Sequence, residues 1–148
     1  MAHVDISPLM EAIGPLDDDI LAVTAIGETW VVRLEDLDIQ VEEDRAAQRH
    51  LLTAVVAGPP SAGRLEVYET LLQYNLLRRE TGMCSALGPD GEVVLLAEVP
   101  SEGMNVPLLL DVLQNIAAKA RAFAPLVAQA PAPAQAGDLD LGMIAIRI

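Results

Sequence analysis

The sequence predicts a single-domain α+β fold, an antiparallel sheet with separate helices in the order α-β-β-β-α-β-β-α, followed by a C-terminal tail. Three observations carry this. Strand-like stretches come in two groups, within residues 20–58 and 83–100, and each group is joined by short turns, not helices. Two long helical stretches, 65–82 and 105–125, carry apolar residues at three- and four-residue spacing. The 148 residues suit one domain, placed at 1–130, with an Ala/Pro linker and strand-like tail at 131–148. A chain of this length buries roughly 70% of its unfolded surface, enough for a core without disulfides.

The elements follow in order. "VDISPLMEAI" reads as a short helix capped by Ser7, with Pro8 in its first turn and Ile6, Leu9, Met10 and Ile13 on one face. Residues 20–26 are apolar on both faces, as a central strand would be. From Trp30 to Val41 the apolar parity switches: Trp30, Val32 and Leu34 are even, whereas Leu37, Ile39 and Val41 are odd. A continuous half-buried strand cannot do this, so a bulge or break is predicted near Glu35-Asp36. "HLLTAVVAG" is a further strand, and Ser61 in the next loop is placed to cap the helix that follows. That helix carries two apolar stripes, Leu65-Tyr68-Leu72-Leu76 and Val67-Leu71-Tyr74. One core needs one stripe, so the helix is built to touch two things. Pro89-Asp90-Gly91 turns the following hairpin. Asn105 caps the last helix, whose stripe is Leu109, Val112, Leu113, Ile116, Ala120 and Phe123 and which Pro125 kinks or ends.

Composition narrows the function. The formal charge is −13, which disfavours phosphate backbones and anionic lipid and favours basic partners. No apolar run reaches the ~18 residues of a membrane span, and the N-terminus shows no export signal. One Cys excludes an internal disulfide and fits a reducing cytosol, and with two His it cannot make a zinc site alone. Residues that suggest chemistry have plainer readings. Asp17-Asp18-Asp19 lacks a cation-binding loop pattern, and Asp36 and Asp38 read as a solvated strand face. His50 has no nucleophile signature beside it, Cys84 has no basic neighbour, and "AGPPSAGR" lacks the end of a phosphate loop. No catalytic residue, metal site or cofactor is assigned. Asn75 reads as a polar group at a helix interface that fixes pairing register.

Residues 65 to 100, "LEVYETLLQYNLLRRETGMCSALGPDGEVVLLAEVP", resemble the middle of class I type III secretion chaperones, the Tir-chaperone-like family. That family shows a helix of the form L-x-x-L-L-x-x-N, then a Gly, a strand, a Gly-containing turn and a strand ending near Pro. Leu71, Leu72 and Asn75 match, followed by Gly82, Gly88, Gly91 and Pro100. The likeness covers about residues 5 to 125. It departs at the end of the last helix, where Phe123 is the sole aromatic, and in the tail, which has no counterpart. The resemblance implies a bacterial cytosolic homodimer without catalysis. It would bind an extended segment near the N-terminus of a secreted effector, keep it unfolded and help present it to the export apparatus. A non-catalytic interaction or regulatory module of similar build is the alternative.

Site residues follow from both lines. Val67, Tyr68, Leu71, Tyr74 and Asn75 are placed at a dimer interface. Ile6, Leu9, Met10 and Ile13 of the first helix, with Trp30, Val32, Leu34, Leu37, Ile39 and Val41 of the early strands, are placed at the client site. There a client could add as a strand. The same ten residues also suit the core. In the tail, Ile144, Ile146 and Ile148 are placed to dock on an apolar groove or sheet edge.

Overall fold

A computed structural model describes residues 5–60 and 62–128. The chain runs α1 (Ser7–Ile13), a 3-10 turn (Gly14–Leu16), β1 (Ala22–Ile26), β2 (Thr29–Arg33), β3 (Asp38–Asp44) and β4 (Arg49–Ala57). It continues with α2 (Arg64–Asn75), α3 (Arg78–Thr81), β5 (Met83–Leu87), β6 (Val93–Pro100) and α4 (Val106–Ala128). The six strands form one antiparallel sheet in the order β1-β2-β3-β4-β6-β5. This is the α+β class expected, with one strand more before α2.

The extra strand comes from the parity switch. Leu34 N–H donates to the Leu37 carbonyl at 2.9 Å, so Glu35-Asp36 is a two-residue turn and the 30–41 stretch folds back on itself. Trp30 pairs with Val41, and Val32 with Ile39. In such a hairpin partners differ by an odd number, so even and odd residues share one face. Asp36 therefore sits at a turn and not on a strand face beside Asp38. β1 is a second correction: it is an edge strand, not a central one.

One face of the sheet carries the core. Val32, Ile39, Val41, Leu52, Ala54, Leu95 and Ala97 line it. α4 lies over β4 and β6, and its predicted stripe of Leu109, Leu113, Ile116, Ala120 and Phe123 is buried there. Leu108 N–H donates to the Asn105 side chain at 2.9 Å, which is the expected cap. The helix continues through Pro125 to Ala128. α1 packs against α4, burying Met10 and Ile13. Its start is held not by Ser7 but by Asp5, whose carboxylate accepts the Ser7 N–H at 2.9 Å. α2 starts after Gly63, and the stretch to Gly82 is two helices with a break at Leu76-Leu77. Gly82 ends α3 in the left-handed region at φ 69°, which a residue with a side chain enters only at a cost. Ser61 and the tail 131–148 lie outside the described residues.

Candidate functional site

The two stripes of α2 part company in the fold. Val67 and Leu71 are buried in this subunit's own core. Tyr74 meets Phe123 edge-on, ring centroids 4.8 Å apart. Asn75 lies on the same stripe, and its side-chain amide clamps β5. Its Oδ1 accepts the Ser85 N–H at 2.7 Å and the Ser85 Oγ–H at 3.1 Å, while its Nδ2 donates to the Ser85 carbonyl at 3.1 Å. Ser85 Oγ also lies 2.8 Å from the Leu71 carbonyl. β5 is the second edge of the sheet, so this amide stands where a neighbouring strand would and closes the edge at that residue. Asn75 does fix a register, but that of α2 on β5 within one chain. Val67 and Leu71 are thus core and not interface, whereas Tyr74 and Asn75 are half-buried.

Tyr68 is half-buried and belongs to the other stripe, with Leu65, Leu72 and Leu76. Leu72 is 70% and Leu76 82% exposed, and Leu77 continues the apolar surface. These leucines face outward with no cover from the described residues.

The ten residues assigned to the client site also divide. Met10, Ile13, Val32, Ile39 and Val41 are fully buried, and Ile6 and Leu34 nearly so. They are core: α4 covers the sheet face lined by Val32, Ile39 and Val41, and α1 packs Met10 and Ile13 into the same cluster. Leu9, Trp30 and Leu37 remain half-exposed. Trp30 is the junction of two clefts. One, of ≈ 430 Å³, lies between α1 and β1, with Glu11, Gly14, Ile20, Leu21 and Val23 on its walls. The other, of ≈ 660 Å³, opens at the end of the sheet between Asp5-Ile6, Gly27-Glu28 and the Glu42–Arg45 segment. Together they follow β1, whose five residues span about 17 Å.

β1 is exposed along this track. Leu21 and Ile26 are 62% and 63% exposed, and only Val23 within the strand is half-buried. Gly27-Glu28 is a two-residue turn, so Ile26 and Thr29 form a hydrogen-bonded pair. The alternation then points the N–H and C=O groups of Val23 and Ala25 away from β2. Leu21, Val23, Ala25 and Glu28 were missed from the sequence, although an apolar strand with no cover on one side was there to be read in residues 20–26.

The electrostatics of the track are acidic. Asp44 is held below the ordinary carboxylate range first by the Ala47 N–H and then by Arg49, whose Nε lies 3.1 Å away. Arg45 reaches Glu43 at 3.4 Å. At the other end of β2 Arg121 grips Asp36 at 2.8 and 3.0 Å, tying α4 to the β2–β3 turn. That hydrogen bonding lowers the Asp36 carboxyl below its usual value.

Other candidates resolve as structure. His50 is fully buried, with Nδ1 3.1 Å from Ser101 Oγ. Cys84 lies on β5, half-buried and free. Among the described residues no group of three or more His, Cys, Asp or Glu could hold a metal ion, and no helix is long and apolar enough to cross a membrane.

Residues 29–124 match the model of the Tir chaperone protein (CesT) family. No curated protein matches the chain. Among solved structures, a chain of the ExsC–ExsE complex superposes with a TM-score of 0.62 at 18% identity, covering 80% of this chain and 90% of that one. A chain of the HopA1–SchA chaperone–effector complex gives 0.56 at 18% identity, covering 83% and 99%. A chain of the ExoU–SpcU complex of the Pseudomonas aeruginosa type III secretion system gives 0.54 at 20% identity, covering 82% and 97%. At these identities the superpositions speak for the fold, and the family model covers well over half of the chain. The chain belongs to the Tir chaperone protein (CesT) family.

Proposed function

We propose that the protein is a type III secretion chaperone of the bacterial cytoplasm. It binds an extended segment near the N-terminus of an effector, keeps that segment unfolded and helps target it to the export apparatus. The observation that carries this reading is β1. An apolar edge strand with outward-facing backbone groups is an aggregation hazard that a stable domain blunts or covers. Here it runs beside clefts floored by Trp30. An extended chain laid along it would gain main-chain hydrogen bonds from Val23 and Ala25 and seat alternate side chains at Trp30 and Leu21. No step of this function requires catalysis.

The working unit is proposed to be a homodimer formed through the outward stripe of α2. Leu65, Tyr68, Leu72 and Leu76 would meet their copies, each buried leucine contributing roughly 1.5–3 kcal/mol. For the tail we propose that Ile144, Ile146 and Ile148 dock on an apolar groove or edge.

The test is co-expression with the N-terminal region of a secreted effector, followed by limited proteolysis of the purified complex. The effector should yield one protected segment that reads as extended, and a folded effector domain as the protected unit would reject the reading. The alternative, a regulatory module for a folded partner, has no specific observation in its favour.

A further inference from the structure

We propose that the segment seated along β1 is basic as well as apolar: lysine or arginine side chains flank the apolar anchor that reaches Trp30. This rests on reading the Trp30 clefts as the effector site, and names the chemistry of what fits there.

The track carries acidic charge around an apolar floor. Along the track stand Glu11, Asp5, Glu28, Glu42, Glu43 and Asp44, with Arg45 as the single cation among the described lining residues. Arg45 is engaged by Glu43, and Asp44 already holds Arg49. Glu11, Glu28 and Glu42 are exposed and make no ion pair among the described residues. They sit at both ends of the track, Glu11 in the cleft beside α1 and Glu28 and Glu42 in the one at the sheet end. An acidic segment in this position would face repulsion along its whole length. A purely apolar one would leave the carboxylates without cationic partners. A segment whose apolar residues reach Trp30 and whose flanking residues carry ammonium or guanidinium groups satisfies both, because the carboxylates stand at either end of the track with Trp30 between them.

Trp30 is the only tryptophan in the chain, so its emission reports on the clefts directly. The probe is a synthetic peptide of about twelve residues with isoleucine at alternate positions and lysine or arginine between them. One twin carries glutamate in place of the basic residues, and a second carries serine in place of isoleucine. The full-length chain should bind the first peptide with a shift in Trp30 emission and with affinity that falls as salt rises. The glutamate twin should bind at least about tenfold more weakly, and the serine twin should not shift the emission. The double variant Glu28→Gln with Glu42→Gln should weaken the basic peptide by about three- to tenfold while its thermal unfolding matches the wild type.

Equal affinity for the basic and acidic peptides, or unchanged affinity in the double variant, overturns the inference. In either case an effector segment that still shifts Trp30 emission leaves the groove reading standing. An effector segment that binds without touching Trp30 emission overturns both. If the basic peptide binds only after deletion of residues 1–4 or 137–148, the chain's own end is the occupant and the inference falls.

Discussion

Asn75→Ala removes one side chain that reaches two elements at once. Two hydrogen bonds are lost, to Ser85 N and O at 2.7 and 3.1 Å, together with a weaker 3.1 Å share of the one Ser85 hydroxyl proton. Ser85 Oγ keeps the Leu71 carbonyl, but the Ser85 backbone N–H and C=O lose their partner at a partly buried edge. At about 0.5–1.5 kcal/mol net per bond, and with two backbone groups left unsatisfied, the variant should lose about 2–3 kcal/mol. Asn75→Asp is a sharper version. The new carboxylate keeps both acceptor contacts and sets a negative oxygen against the Ser85 carbonyl. Its protonated form can donate there, so folding raises its pKa. The deficit should therefore shrink as pH falls through that raised value, because the folded state binds the extra proton. Urea unfolding read by Trp30 emission and far-UV circular dichroism measures both, at one protein concentration, since self-association shifts apparent stability. A loss below about 0.5 kcal/mol for Asn75→Ala would refute the clamp.

Other outcomes follow from the same structure. Leu72→Asp with Leu76→Asp should give a folded monomer by sedimentation, whereas Val67→Asp, in the core, should unfold the chain; a monomeric wild type at micromolar concentration would reject the dimer. Trp30→Ala should reduce effector capture while the circular dichroism spectrum stays native, whereas Met10→Ala, fully buried, should act through stability and cost about 2–5 kcal/mol. Asp36→Asn should cost up to about 1 kcal/mol at neutral pH, as befits an exposed pair with Arg121. Because folding lowers the Asp36 pKa, its contribution is present above the unfolded value and lost as pH falls. The gap between variant and wild type should close below about pH 4, and a gap that persists there would assign it to another cause.

The class of the fold, the last long helix, the β5–β6 hairpin and the Asn105 cap were legible because each rests on local chemistry, whereas the break of the 65–82 stretch into α2 and α3 was not. The break at Glu35-Asp36 was legible too, but not its nature. A bulge and a tight reversal both switch parity, and only pairing partners distinguish them. The double stripe of α2 is visible in the sequence, while its orientation is not: both stripes are apolar, and only the fold shows that Val67 and Leu71 point inward. The clue was Asn75, four residues after Leu71 and eight after Val67. A polar group on a buried stripe requires a partner, and Ser85 is ten residues away in sequence. Seven of the ten residues placed at the client site are buried for a related reason. Val32, Ile39 and Val41 alternate as they would for a client, but α4 covers the same face, and alternation does not say whose side chains fill it. Residues 20–26 are the stretch on which the proposed effector site rests. Their apolar character on both faces was assigned to burial, when the structure leaves it exposed at an edge.

Amide hydrogen exchange of the chain alone and in complex with its effector segment tests the central claim most directly. The account predicts new protection at the amides of Val23 and Ala25, with slower exchange through α1, and little change in α4. Protection confined to α2 and β5, or an unchanged β1, would contradict it.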